Sequence, residues 1–142
     1  MIGRPRKVLR IPNAHIIIKK IDNMSQIWDI SFVKPARFHP KARNAIQAFP
    51  EDVRRELGKA IFDLQKGERL GMPLSRSMPS IGAGVEELRI KDRNGAYRVF
   101  YLAKFADAVL IFHAFTKKTQ KTQKSEIDLG KKRLKELLDE KK

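Results

Sequence analysis

Arg89, Lys91, Arg98 and His113 are the residues whose type and spacing point most directly to chemistry. All four fall within one stretch of this 142-residue chain, EELRIKDRNGAYRVFYLAKFADAVLIFHAFTKKTQKTQK, running from Glu86 to Lys124. Three cations and an imidazole on one surface would hold a phosphate. Glu87 is the single acid close to them on the same side. A solvated sheet face normally mixes signs, so this excess of bases reads as a phosphate-binding platform.

Two β-hairpins would bring these residues together. Asn94-Gly95 between two alternating runs is a strong hairpin signal, because both central residues of a type I′ turn need positive φ. With that dipeptide as the loop, Arg93 faces Ala96, Lys91 faces Arg98 and Arg89 faces Phe100. A second turn near Phe105-Ala106 sets Arg98 against His113 and Phe100 against Ile111. One face then carries Arg89, Lys91, Arg98 and His113. The other carries Leu88, Ile90, Tyr97, Val99, Tyr101, Leu110 and Phe112. The like-charge pair of Lys91 and Arg98 is destabilising by roughly 0.2–1 kcal/mol unless an anion lies between them, so removing Arg98 is expected to leave stability equal or slightly higher.

The rest of the chain fits a single domain. Its length supports one core, and 42% hydrophobic with 33% charged residues describes a globular protein with a solvated surface. Thirty-one Lys and Arg against 16 Asp and Glu give a net charge of +15, which favours a polyanionic partner such as nucleic acid. No basic amphipathic helix with large apolar anchors stands out, so no membrane partner is expected. The absence of Cys excludes thiolate chemistry. The apolar run His15 to Ile18 is too short for a signal-peptide core, and a cytoplasmic location is expected. His15, His39 and His113 lie far apart, so no metal site is expected, and nothing calls for a small-molecule cofactor.

In chain order, residues 1–26 are basic and irregular and read as an extension outside the core, with Met24 as an internal start. Residues 27–142 form the domain. Trp28 to Val33 alternates as a short first or edge strand. Phe38, Ala42, Ala45, Ile46 and Phe49 then recur at helical spacing, with Pro40 in the first turn. After Pro50, Val53, Leu57, Ala60, Ile61 and Leu64 form a second helical stripe, stopped at Gly67. Residues 68–84 read as loop, the hairpins follow, and Ser125 caps a last helix with Ile127, Leu134, Leu137 and Leu138 as its seam. The expected fold is α+β: a small antiparallel sheet with a two-helix hairpin on one face, the basic face open, and a C-terminal helix.

The run ELR…YRVFY…LIFHAFTKKTQKT, behind a two-helix hairpin ending in LQKG, resembles the RelE/ParE toxin superfamily. It is most similar to its HigB-like, phage-derived branch. The resemblance covers roughly Ile27 to Leu138. It implies the toxin of a type II toxin–antitoxin pair, acting as an endoribonuclease on mRNA held by the ribosome, with a cognate helix-turn-helix antitoxin as partner. Carried over by motif, the basic positions of the first strand fall on Arg89 and Lys91, and the arginine of the YR motif is Arg98. The position after the last strand falls on Lys117 or Lys118. Arg93 and Lys121 add to the phosphate-binding set. Several members end in a Tyr or His near the scissile nucleotide; this chain has no tyrosine after Tyr101.

A metal-independent ribonuclease drives the 2′-hydroxyl onto the adjacent phosphorus and leaves a 2′,3′-cyclic phosphate. It needs a base, cations on the phosphorane and an acid at the 5′-oxygen. The planar fork of Arg98 suits the phosphorane. Clustered cations lower one another's proton affinity, which suits a lysine such as Lys91 to act as base. His113 is a second candidate acid or base, with a packed core histidine as the alternative. Two other functions fit the same features: a gyrase-inhibiting toxin of the ParE type, and a nucleic-acid-binding module that does not cleave.

Overall fold

The computed structural model describes residues 15–18, 30–118 and 121–140. Strand β1 (His15–Ile18) pairs antiparallel with β2 (Ile30–Val33), as a two-stranded sheet of its own. There follow β3 (Ala36–Phe38), α1 (Pro40–Gln47), α2 (Glu51–Gln65), β4 (Ser75–Ser77), β5 (Val85–Asp92), β6 (Gly95–Leu102), β7 (Val109–Lys117) and α3 (Lys124–Glu140). The larger sheet has the order β3-β7-β6-β5-β4. It is mixed instead of wholly antiparallel, because β3 runs parallel to β7 while the other neighbours are antiparallel. Of the expected extension 1–26 only His15–Ile18 is described. The proposed boundary near Met24 and the start of the strand at Trp28 lie outside the described residues.

Local chemistry sets the helix ends. His39 caps α1 by accepting from the Lys41 N–H at 3.1 Å, and Pro40 occupies the first turn, where no N–H is needed. Phe38, expected to begin this helix, is in β3. Glu51 and Asp52 open α2 at the positive end of its dipole, and Gly67 at φ 91° follows its C-cap. Val53, Leu57, Ile61 and Leu64 on α2 pack on Leu88, Ile90, Tyr97, Val99, Tyr101 and Ile111.

The central hairpin closes one residue early. Asp92 pairs with Gly95, leaving Arg93-Asn94 as the loop. The reason is the Asp92 carboxylate, which accepts from the N–H groups of Asn94 at 2.8 Å and Gly95 at 2.9 Å. The register therefore slips by two: Arg89 faces Arg98 and Lys91 faces Ala96. The second hairpin slips likewise, with Arg98 opposite Phe115 and Phe100 opposite His113. An irregularity at Phe100/Tyr101 then turns Leu110 and Phe112 to the face of Phe100, opposite to the face expected from alternation alone.

That second face is not left open. Helix α3 covers its far half, where Leu134 and Leu137 meet Phe100, Leu102, Leu110 and Phe112. The helix is pinned by His113, whose Nε2 lies 2.7 Å from Glu126 Oε1 and whose Nδ1 lies 2.7 Å from a guanidinium nitrogen of Arg133. Arg133 has only donors, so Nδ1 must accept and Nε2–H must donate to Glu126. A second pair, His39 with Glu136, holds the same helix at 2.7 Å. At Gly130 the backbone approaches so closely that a Cβ would stand 2.8 Å from Phe100 Cδ2. None of the described helices is long and apolar enough to cross a membrane, and no described cluster of His, Cys, Asp and Glu has metal-site geometry.

Substitution at two helix glycines tests the contrast between packed and open backbone. Gly130→Ala gains about 1 kcal/mol of helix propensity but drives a methyl into a buried ring, where overpacking costs about 1–3 kcal/mol. Its urea midpoint should fall. Gly58→Ala, with nothing within 4 Å of its would-be Cβ on exposed α2 backbone, should gain about 0.5–1 kcal/mol. A separate prediction concerns pH. Burial, with Arg133 adding to it and Glu126 opposing it, holds the His113 pKa below its ordinary 6.5. The stabilising effect of the neutral ring is complete above that value and is lost as the pH falls below it. The urea midpoint should drop between about pH 7 and about pH 5, and His113→Gln should flatten that slope.

Candidate functional site

One end of the sheet face covered by α3 remains uncapped, and cations from four adjacent strands meet there. Arg76 on β4 lies opposite Glu87 on β5, and Arg89 two residues on lies opposite Arg98 on β6. Beside Arg98 on β7 is Phe115, and Lys117 follows on the same face opposite Ala96. Side chains two apart share a face, so Arg76, Glu87, Arg89, Arg98 and Lys117 belong to one surface.

Glu87 is the centre of this group. Its side chain is fully buried, and that of Arg98 is 3% exposed. Arg98 Nε lies 3.8 Å from Glu87 Oε1, too far for a hydrogen bond but close enough for strong attraction away from water. Thr122, from the loop between β7 and α3, donates to Glu87 Oε2 at 3.0 Å. Arg98 also donates to the Tyr97 carbonyl at 3.3 Å. Glu87 Oε1, Arg89 Nε and Arg98 Nε are buried without a hydrogen-bond partner among the described residues. Each such atom costs about 1–3 kcal/mol, so three at one place are conspicuous.

Crowding of like charge has its expected effect. Burial lowers the Arg98 pKa; Glu87 works against this, and Arg89 and Arg76 reinforce it. Arginine remains charged at neutral pH all the same. Burial also lowers the pKa of Lys117, helped by Arg98, Arg89 and Arg76 and opposed by Glu87. Lys117 is thus the lysine of this face that the fold makes easier to deprotonate, whereas Lys91 is exposed.

Two depressions flank Arg98. On the β5 side, Glu56, Pro73, Leu74, Arg89, Lys91 and Arg98 line an open groove of about 560 Å³. On the β7 side, Lys117, Lys118 and Lys121 line a polar pocket of about 230 Å³ with Phe115, Gln123 and Glu126. The structure therefore brings Arg89, Lys91 and Arg98 together, and Lys117, Lys118 and Lys121 together beside them. Arg93 stands exposed in the hairpin turn. His113 does not join the cations: it is 2% exposed beneath α3, with both ring nitrogens engaged and Phe115 stacked on it at 5.2 Å.

Sequence reasoning passed over Arg76 and Thr122. Arg76 sits between two serines in a segment with no apolar alternation, so nothing marked it as strand. Thr122 lies in a lysine-rich loop whose partners depend on tertiary contact. Glu87 was legible as the acid in phase with Arg89, although its burial was not.

The chain matches the family model "Phage derived protein Gp49-like (DUF891)" over residues 44–135, roughly two thirds of its length. No curated protein matches it. The matched segment contains α2, the three long strands, the whole cation cluster and most of α3. Members of this family are commonly toxins of toxin–antitoxin pairs, which implies an antitoxin partner. The chain belongs to the Gp49-like phage-derived family, within the RelE/HigB-like toxin–antitoxin superfamily.

Proposed function

We propose that this protein is the toxin of such a pair and cleaves mRNA on the ribosome by metal-independent attack of a 2′-hydroxyl on the adjacent phosphate. The observation that carries this reading is the buried Arg98, with its unpartnered Nε, among Arg89, Arg76 and Lys117. A phosphodiester supplies acceptors for the Nε atoms of Arg98 and Arg89. As the phosphorane forms, its added charge is met by guanidinium groups already fixed in place and shielded from water. Arg98 is the catalytic residue of this scheme. Lys117, with its lowered proton affinity, is suited to move a proton at the reacting oxygens, and exposed Lys91 holds the adjoining phosphate. His113 is assigned to the docking of α3. Residues 27–142 are taken as the toxin domain, and a helix-turn-helix antitoxin as the partner that neutralises it.

The buried carboxylate changes what a substitution will do. Arg98→Ala leaves Glu87 without its counter-charge, and breaking a buried pair in this way costs about 3–5 kcal/mol. That variant should be inactive largely because it unfolds, contrary to the near-neutral stability expected from a simple Lys91–Arg98 clash. Arg98→Lys keeps the charge and loses the fork. It should remain folded by circular dichroism and cleave about 100- to 1000-fold more slowly on programmed ribosomes. The products of the wild-type protein should end in 2′,3′-cyclic phosphate. Wild-type cleavage by folded Arg98→Lys would remove Arg98 from the mechanism, and intact mRNA after incubation with wild type would refute the nuclease reading.

A further inference from the structure

The cations are arranged as a row that crosses the strands. Lys117 is on β7, Arg98 on β6, Arg89 on β5 and Arg76 on β4, and these strands are consecutive neighbours in the sheet. Lys117 is level with Ala96 and Arg76 with Phe100, so the row runs diagonally; with strands about 4.8 Å apart and about 3.4 Å per residue it spans about 20 Å. Space lies on both sides of its buried member: the polar, lysine-lined pocket beyond Arg98 on the β7 side, and the groove of Arg89 and Lys91, floored in part by Pro73 and Leu74, on the β5 side. The row ends at Arg76, an exposed residue on the edge strand.

We infer that single-stranded RNA runs across the strands, from the Lys117 pocket over Arg98 and Arg89 to Arg76, which binds a backbone phosphate away from the scissile one. This path rests on the nuclease reading above and adds to it a direction and a residue. Burial of Arg98 selects the single strand. A guanidinium 3% exposed is reached by a flexible backbone that can lower one phosphate into the face, whereas a rigid duplex holds its phosphates on a convex surface. Arg76 has a different task. It is exposed at the sheet edge, so most of its contribution is binding energy shared by ground state and transition state, with a smaller share through the field it adds at Arg98 and Lys117.

The test measures binding separately from cleavage. A fluorescein-labelled 2′-O-methyl oligouridine, which lacks the attacking hydroxyl, is titrated by anisotropy with the full chain over a range of salt concentrations. Each lost phosphate contact on a single strand reduces the slope of log K against log salt by about 0.7. Arg76→Ala and Lys117→Ala should each show that reduction, and Arg43→Ala on α1 should keep the wild-type slope. On programmed ribosomes Arg76→Ala should raise KM by a larger factor than it lowers kcat. An unaltered slope for Arg76→Ala beside a reduced one for Lys117→Ala would overturn the path and leave the nuclease reading standing. Equal affinity for a duplex of the same backbone would also overturn it. Wild-type protein without salt-dependent binding would refute both.

Discussion

The structure depends on a carboxylate placed where water cannot reach it. Glu87 alone would be costly to bury, and the cations around it alone would repel one another, since Arg89 stands directly across from Arg98. Together they are tolerable. The negative charge fixes the guanidinium of Arg98, and through Thr122 it also fixes the loop leading into α3. At 3.8 Å the attraction is strong, yet no donor is consumed on Nε. A tighter pairing would have satisfied the arginine and left no free donor on Nε.

Strand β6 shows how one face is divided between two tasks. Ala96 and Arg98 lie at its open end, and Phe100 and Leu102 lie under α3. The change from charged to apolar occurs within two residues. Gly130 lets the helix settle onto Phe100, and Glu126 and Arg133 close over His113 just beyond the cations. The helix therefore acts as a wall at one side of the site, with a neutral imidazole as its fastening.

Much of this was legible in the sequence, for reasons that can be named. Both hairpins slipped by two residues from the expected register, and a slip of two preserves which side chains share a face. Arg89, Lys91 and Arg98 therefore stayed together although their partners changed. The expected turn rests on Asn94-Gly95 alone, whereas the Asp92 side chain moves it by one residue. The irregularity opposite Phe100 was not visible, because alternation carries no mark of an extra residue, and so Leu110 and Phe112 were put on the wrong face. Strands β3 and β4 are three residues each, too short for any period to show. His113 had the right parity for the cation face; only the arrival of α3 decides that it is covered.

The parallel pairing of β3 with β7 has a consequence for the birth of the protein. Ala36 is matched with Val109, so the two strands are brought together across most of the domain, and β7 also supports β6, α1 and α3. Local order in α1 and α2 can form early, but the sheet cannot close around its middle until β7 has been synthesised. Lys117, at the end of that strand, and Thr122, which ties down Glu87, come later still. A nascent chain thus carries its arginines for a time without the geometry that brings them together. The cation cluster is completed only by the late part of the chain.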